Sequence, residues 1–198
     1  MAQHDPISLQ LQANLQAHLQ EHSVVFEQLV NQLPQIETVA HNIIETLRRR
    51  GKLLLAGNGG SAADAQHIAA EFSGRYLVER EALAAIALTT DTSALTAIGN
   101  DYGFERVFAR QFEALAQPGD VLWVYSTSGN SGNIIEVVKA AKALGCYTVA
   151  LTGATGGLLR DLVDDCVCVP STSTPRIQEA HAFIGHEICD IVDKAFAP

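Results

Sequence analysis

The first fifty residues carry apolar side chains at helical spacing. An apolar stripe over residues 15–33 follows a 4-3-4-3-4 spacing, which puts its members on one face of a helix. Pro34 is expected to break that helix, because proline lacks the backbone N–H that a helix interior needs. A second stripe over residues 36–47 predicts a second helix, closed by three arginines and Gly51. Residues 1–50 are therefore predicted to be an N-terminal helical extension.

From residue 52 onward, short apolar runs alternate with helical segments. Strands that are apolar throughout and separated by helices are typical of a parallel sheet covered on both faces. The predicted fold class is α/β, a doubly wound five-stranded parallel sheet over residues 51–198, and the length of 198 residues suits a single domain over 1–198. The predicted strands are 53–56, 84–88, 121–125, 147–151 and 166–169. The predicted helices after residue 52 are 62–72, 93–98, 104–115, 132–144, 157–163 and 177–196.

Composition excludes several classes of function. The formal net charge of -9 argues against a nucleic-acid partner, because phosphate backbones are bound mainly through clustered lysine and arginine. No apolar run approaches the roughly 18 residues that span a bilayer, so no membrane contact is predicted. The N-terminus lacks the basic and apolar regions of a secretory signal. The four cysteines show no CxxC spacing and are expected to be reduced core residues. These features predict a cytoplasmic protein.

The loop after the first predicted strand has the composition of an anion-binding turn. Residues 57–61 read Gly-Asn-Gly-Gly-Ser and lead directly into a helix. Glycines permit close backbone approach, and a helix N-terminus offers free N–H groups to an anion. The loop does not match the G-x-G-x-x-G pattern of dinucleotide-binding proteins, and no Gly-Lys-Ser/Thr of a Walker loop follows. Nucleotide chemistry is therefore not predicted.

The loop after the third predicted strand is rich in hydroxyl groups. Residues 126–131 read Ser-Thr-Ser-Gly-Asn-Ser and again enter a helix. Because serine and threonine are favoured helix caps, a single hydroxyl there would indicate only a capping turn. Four hydroxyls in six residues favour a neutral cradle for a phosphate group instead, in keeping with an acidic protein. The predicted phosphate ligands are Ser126, Thr127, Ser128 and Ser131.

Two predicted helices carry histidine near carboxylate or amide side chains. His67 and Glu71 are four residues apart, so an imidazole and a carboxylate share one helix face. Such a pair can bind a metal ion, serve acid–base chemistry or be a plain surface pair. Its position two turns after the glycine-rich loop favours a functional site. Gln178, His181 and His186 in the last predicted helix could complete that site from the C-terminal end.

Five motifs stand in order along the chain: residues 57–64, His67 with Glu71, residues 99–103, residues 126–131 and residues 176–179. Together they resemble the phosphoheptose isomerase (sedoheptulose 7-phosphate isomerase) family of the SIS (sugar isomerase) domain superfamily. The resemblance implies a homotetrameric enzyme that converts D-sedoheptulose 7-phosphate to D-glycero-D-manno-heptose 7-phosphate. That reaction is the first step towards ADP-heptose for the lipopolysaccharide core. The helices of residues 1–50 are expected to lie in contacts between subunits.

The same resemblance assigns roles to single residues. It implies one zinc ion per subunit on His67, Glu71, Gln178 and His186, with Glu71 and His186 as the catalytic pair. An aldose–ketose isomerase moves a proton between adjacent carbons through an enediol, so it needs a group that can take and return that proton. The implied substrate-binding residues are Asn58, Gly59, Gly60, Ser61, Glu71, Asn100, Asp101, Ser126, Thr127, Ser128, Ser131 and Gln178.

The spacing of two implied zinc ligands sets a geometric condition. Gln178 and His186 are eight residues apart, which is about 12 Å along a regular helix. To share one ion, Gln178 should stand before or at the first turn and reach forward while His186 leans back, since helical side chains tilt towards the N-terminus. Otherwise His181 or a residue of another subunit would take its place.

Two alternatives to an isomerase are open at this point. A non-catalytic SIS-domain binding protein, resembling the factor that associates with the replication initiator DnaA, would keep the loops but would not need the metal and acid–base residues. A sugar-phosphate sensor would need an added DNA-binding or catalytic domain, which is not expected within these 198 residues. The joint presence of His67, Glu71, Gln178 and His186 favours the enzyme.

Overall fold

Seven α-helices and five β-strands occur in residues 6–198, the part of the chain that this computed structural model describes. The helices are α1 Pro6–Gln28, α2 Leu33–Arg48, α3 Gly60–Ser73, α4 Thr92–Tyr102, α5 Val107–Leu115, α6 Gly132–Leu144 and α7 Thr174–Phe196. The strands are β1 Leu53–Ala56, β2 Ala85–Ala87, β3 Val121–Ser126, β4 Tyr147–Thr152 and β5 Asp165–Cys168.

The five strands form one parallel sheet in the order β2-β1-β3-β4-β5. This arrangement confirms the predicted fold class, including the long N-terminal helix. The chain winds outward in opposite directions from β1 and β3, so the loops that follow these two strands meet at the carboxyl edge of the sheet. Such a switch point is where ligands bind in open α/β sheets.

Alternate residues of the strands supply the two cores. Leu53 and Trp123 belong to the core on one face, which also includes residues of α2, α3 and α7. Leu54 and Leu122 belong to the core on the other face, with residues of α5 and α6. All four side chains are fully buried, and each contributes roughly 1.5 to 3 kcal/mol by leaving water. The sheet is thus covered on both faces, as the apolar strands predict.

Three predicted helical segments differ from the structure in helix type or in where the helix breaks, and the predicted helices 93–98 and 177–196 are longer, at Thr92–Tyr102 and Thr174–Phe196. Residues 157–163 form a short 3-10 helix, Gly157–Asp161, because Gly156 and Gly157 take left-handed φ angles of 73° and 55° that an α-helix cannot continue. The predicted helix 104–115 divides into a 3-10 turn, Phe104–Arg106, followed by α5. The break before α2 comes at the 3-10 turn Leu29–Gln32, and Pro34 lies in the first turn of α2, where its missing N–H costs nothing.

The apolar stripe of α1 is largely uncovered. Leu15 is 61% exposed and Leu19 is 58% exposed, whereas Val25 is buried beside α2 and α7. Contacts with α7 therefore hold the C-terminal part of α1, while its N-terminal half projects apolar surface. None of the helices described is long and apolar enough to cross a lipid bilayer.

The cysteines are free thiols, as predicted, but two of them are less buried than expected. Cys146 and Cys189 are buried in the two cores. Cys166 and Cys168 are only partly buried, because β5 is the edge strand of the sheet. Their sulfur atoms lie 3.7 Å apart without a disulfide between them.

His181 lies in the core of the protein, fully shielded from solvent. Its Nε2 lies 3.2 Å from the carbonyl oxygen of Thr152, and its ring packs against Tyr125 at 5.8 Å between centroids. Burial lowers the pKa of His181 to about 4, because a charged imidazole is poorly solvated there. This histidine is therefore neutral at physiological pH and belongs to the core.

The burial of His181 predicts a pH-dependent loss of stability. An unfolded histidine has a pKa near 6.5, so the unfolded chain takes up a proton at higher pH than the folded protein does. The contribution of His181 is therefore present above about pH 6.5 and is lost as the pH falls towards 4. In urea unfolding across that range, His181→Gln should lose less stability than the wild type, by up to about 3 kcal/mol. Equal losses in both proteins would contradict this assignment.

Candidate active site

The site is built where α3 and α7 lie side by side. Gly185 of α7 faces Ile68 of α3, and a Cβ built on this glycine would lie 2.7 Å from the Ile68 Cδ1 atom. A larger residue at position 185 would force either the Ile68 side chain or the two helices to move. The next residue, His186, and the residue before Ile68, His67, are consequently brought together from opposite ends of the sequence.

His67, Glu71 and His186 form a cluster of three donor atoms that all lie within 4.8 Å of one another. The His67 Nε2 atom lies 3.0 Å from the Glu71 Oε1 atom, as the i, i+4 spacing predicts. The Nε2 atoms of His67 and His186 are 3.3 Å apart, so one acts as donor and the other as acceptor when no ion is between them. His67 is exposed and the other two side chains are partly buried, which leaves one side open to solvent.

The donor spacing fits a small divalent cation. Zinc binds imidazole and carboxylate ligands at about 2.0 to 2.2 Å in a tetrahedron, which sets neighbouring donors roughly 3.3 to 3.5 Å apart. The 3.0 and 3.3 Å separations are close to this value. Three protein ligands with an open fourth position are typical of catalytic zinc sites, whereas structural sites are closed. These three residues could therefore hold a zinc ion.

A cavity of about 320 Å³ lies at the switch point of the sheet. The loops after β1 and β3 meet there, and α3 and α6 both begin at its rim. Helix N-termini favour anions, so the cavity can hold a phosphate without a lysine or arginine in its wall. The lining residues are Asn58, Gly59, Gly60, Ser61, Tyr125, Ser126, Thr127, Ser131, Thr174 and Gln178.

Hydroxyl and amide contacts order the walls of this cavity. The Ser126 and Ser131 hydroxyls are 3.1 Å apart and hydrogen-bonded to each other. Asn58 and Asn133 exchange two amide hydrogen bonds, of 2.9 and 2.8 Å, which tie the glycine-rich loop to α6. A larger cavity, of about 700 Å³, opens between α1 and the start of α7, but none of the predicted site residues lines it.

Four predicted substrate residues lie outside the lining of the cavity, and one of them, Glu71, belongs to the cluster with His67 and His186 instead. Ser128 lines an adjoining cavity of about 210 Å³, and its hydroxyl accepts a hydrogen bond from the Asn130 N–H at 3.1 Å. Asn100 and Asp101 occupy the exposed last turn of α4, where the Asn100 amide donates to the Asp101 carboxylate at 2.8 Å. Neither is part of the lining of the two cavities. Their binding of substrate stays a prediction.

Gln178 lies inside α7, so it does not meet the geometric condition for sharing an ion with His186, which was a place before or at the first turn of the helix. The helix begins at Thr174, which places Gln178 in the second turn. Its side chain lies in the cavity against Gly60, where an added Cβ would come within 2.5 Å of the amide Nε2. A role for Gln178 as a fourth zinc ligand stays a prediction. The alternative ligand His181 is held in the core by its contact with Thr152.

Sequence reasoning did not identify Tyr125, Thr174 or Asn133 as site residues. Tyr125, near the carboxyl end of β3, lines the cavity, and its buried hydroxyl has no hydrogen-bond partner among the residues that the structure describes. The available signal for Tyr125 was a polar group close to the carboxyl end of a buried strand, where ligands bind in such sheets. Asn133 acts through Asn58, and its contact joins residues 75 positions apart, which no local pattern reveals.

Comparison with known proteins assigns the family. The SIS domain family matches residues 17–153. Phosphoheptose isomerases of Roseiflexus sp. and Nitratiruptor sp. are 60% and 54% identical to this chain, covering 82% and 92% of it and 83% and 98% of their own lengths. The solved phosphoheptose isomerase of Neisseria gonorrhoeae superposes with a TM-score of 0.88 at 47% identity, over 93% of this chain and 99% of that one.

The chain belongs to the phosphoheptose isomerases of the SIS domain family. Membership confirms the resemblance found in the five sequence motifs. It also disfavours the non-catalytic alternative, since the relatives are named as isomerases along nearly their full length. As a phosphoheptose isomerase, the protein is a sugar-phosphate isomerase.

The helix contact at Gly185 predicts a sensitive point for metal binding. Gly185→Ala should weaken the binding of zinc to the His67, Glu71 and His186 cluster by roughly tenfold or more, because the methyl group displaces the Ile68 side chain beside His67 or moves α7 away from α3. Adding Ile68→Ala removes the opposing side chain and should restore most of the affinity, while Ile68→Ala alone serves as the control. Competition titration against a chromophoric chelator measures the Kd. Unchanged affinity in Gly185→Ala would contradict this role of the glycine.

Proposed function

We propose that this protein isomerises D-sedoheptulose 7-phosphate to D-glycero-D-manno-heptose 7-phosphate through an enediol, the first step towards ADP-heptose for the lipopolysaccharide core. The main support is that His67, Glu71 and His186 come together on α3 and α7, the same two helices that border the cavity of about 320 Å³ at the switch point of the sheet. The names of the full-length relatives support the same substrate class. One end of such a substrate needs an anion site, and the other needs acid–base groups.

The phosphate is proposed to bind in the cavity at the switch point. Ser126, Thr127 and Ser131 contribute hydroxyls, and the N-termini of α3 and α6 contribute partial positive charge. Because this binding uses hydroxyls and helix dipoles, it is compatible with a chain of net charge -9. Ser128 would join through the adjoining cavity, with which the first cavity shares Thr127.

The proton transfers are assigned to Glu71 and His186. Glu71 takes the proton from C1 of the ketose and returns it to C2, so that the carbon skeleton keeps its hydrogen count. His186 gives a proton to the oxygen on C2 and takes up the proton that leaves O1, which converts the ketone into an alcohol and the alcohol into an aldehyde and returns His186 to its starting state. His67 contacts both groups and orients them, at 3.0 Å from Glu71 and 3.3 Å from His186.

Zinc is the proposed metal, held by His67, Glu71 and His186 with Gln178 as the predicted fourth ligand. When bound, the ion would stabilise negative charge on the sugar oxygens as a Lewis acid. Glu71 then has two tasks, ligand and base, which we expect to be partly exclusive.

Assembly and location complete the proposal. The uncovered apolar side chains of α1, among them Leu15 and Leu19, exceed what the sheet needs for cover, so we propose that they pack against other subunits of a homotetramer. The four free cysteines suit the reducing cytoplasm, where the reaction is proposed to occur.

Substitution of the proposed base separates catalysis from binding. Glutamine nearly matches glutamate in shape but cannot accept a proton at neutral pH, so Glu71→Gln should lower kcat by about 10²- to 10⁴-fold. Fold and phosphate binding should stay nearly intact. The assay follows aldose formation from sedoheptulose 7-phosphate by nuclear magnetic resonance, with and without chelator.

His186→Gln should behave in the same way, whereas His181→Gln, a change of a buried histidine on the same helix, should affect kcat much less. Full turnover in Glu71→Gln would move the base elsewhere. Wild-type protein that binds sedoheptulose 7-phosphate without isomerising it would refute the proposed function. Full activity in chelator, with no metal by elemental analysis, would remove zinc from the proposal.

A further inference from the structure

A buried ion pair sits directly behind the candidate active site. Arg80 and Asp193 have side chains that are 1% and 0% exposed, and the Arg80 Nε atom donates to the Asp193 Oδ1 atom at 2.8 Å. Burial by itself raises the pKa of Asp193, but hydrogen bonds from the Val78 and Leu77 N–H groups and from Arg80 outweigh it and hold the pKa below its usual range. Asp193 is therefore charged in the folded protein.

The pair fixes the segment that leaves α3. The Asp193 Oδ2 atom accepts from three consecutive backbone N–H groups, those of residues 76, 77 and 78, at 3.2, 2.9 and 3.0 Å. Arg80 donates to the carbonyl oxygens of Phe72 and Glu71 in the last turns of α3, both at 2.8 Å. One ion pair thus joins the end of α3 to α7. Apolar residues would cover this position at lower desolvation cost, so the ion pair is better explained by the backbone positions that it sets.

The segment that Asp193 holds places the Tyr76 ring against the His186 ring. The two rings are stacked, with centroids 5.0 Å apart and planes 14° from parallel. The other neighbour of the His186 ring is His67, at 4.9 Å between centroids and 77° between planes. The imidazole is therefore bounded on one face by a phenol ring whose own backbone cannot shift. With that face covered, the Nε2 atom of His186 is kept towards His67 and Glu71.

We propose that Tyr76 is a positioning residue for His186, held in place by the Asp193–Arg80 pair, and that it sets the imidazole plane required for metal binding and proton transfer. The inference rests on the proposed function, because the task of His186 comes from there. The aromatic ring is the part of Tyr76 that does this; its hydroxyl is not required.

The test compares two substitutions of Tyr76 with a change beside it. Tyr76→Leu should lower kcat by about tenfold or more and weaken zinc binding by about ten- to a hundredfold, with the KM for sedoheptulose 7-phosphate nearly unchanged, because the phosphate cavity is not touched. Tyr76→Phe keeps the ring, so its kcat and its zinc affinity should be close to those of the wild type. Leu77→Ala, in the same segment but with an exposed side chain, should behave like the wild type.

A spectroscopic readout on metal-free protein keeps the inference independent of activity. In protein with isotopically labelled histidine, the ring current of Tyr76 should shift the His186 ring protons upfield, and Tyr76→Leu should abolish that shift while Tyr76→Phe retains it. If the protein proves inactive but these shifts and the zinc affinities respond as stated, the positioning role stands and the proposed function fails. Unchanged His186 resonances in Tyr76→Leu, or wild-type kcat and zinc affinity, would overturn the inference.

Discussion

The close approach of α3 and α7 is the constraint on which the site depends. Its donor atoms come from residues 67, 71 and 186, so no local segment of the chain could assemble them. Gly185 permits the approach by presenting no side chain to Ile68. The Asp193–Arg80 pair then fixes the ends of the two helices relative to each other. The 3.3 Å separation of His67 and His186 follows from this packing, whereas the 3.0 Å separation of His67 and Glu71 follows from their spacing within α3. A displacement of about 1 Å between the helices would spoil the cluster for one small ion.

The topology of the sheet supplies the anion-binding cavity of the site without a basic side chain in its wall. Because β1 and β3 are neighbours and the chain winds away from them in opposite directions, two loops and two helix N-termini face one cavity. Their N–H groups and hydroxyls suit a phosphate. In the proposed function, an acidic chain thereby binds an anionic sugar, and the walls of this cavity differ chemically from the cluster of His67, Glu71 and His186.

Much of this could be predicted from sequence because the relevant signals are local. The apolar runs marked all five strands, and the spacing of His67 and Glu71 placed both side chains on one helix face. The hydroxyl-rich loop was recognised in the same way. Local patterns also misled: Gly157 lies in a segment that reads as helical, yet its left-handed backbone allows only a 3-10 turn.

What escaped prediction depends on contacts between distant parts of the chain. The tie between Asn58 and Asn133, the stacking of Tyr76 on His186 and the burial of His181 are all of this kind. The eight-residue spacing of Gln178 and His186 showed that two side chains of the last helix could share one ion only in a particular geometry. Only the fold shows that Gln178 reaches the phosphate cavity while His186 meets α3.

Crystals of the protein soaked with zinc and sedoheptulose 7-phosphate, with diffraction recorded at the zinc absorption edge, test the central claim most directly. The account predicts one anomalous peak per subunit within about 2.0 to 2.2 Å of the donor atoms of His67, Glu71 and His186. It also predicts phosphate density against Ser126, Thr127 and Ser131. A zinc ion bound elsewhere, or a phosphate seated in the larger cavity between α1 and α7, would contradict it.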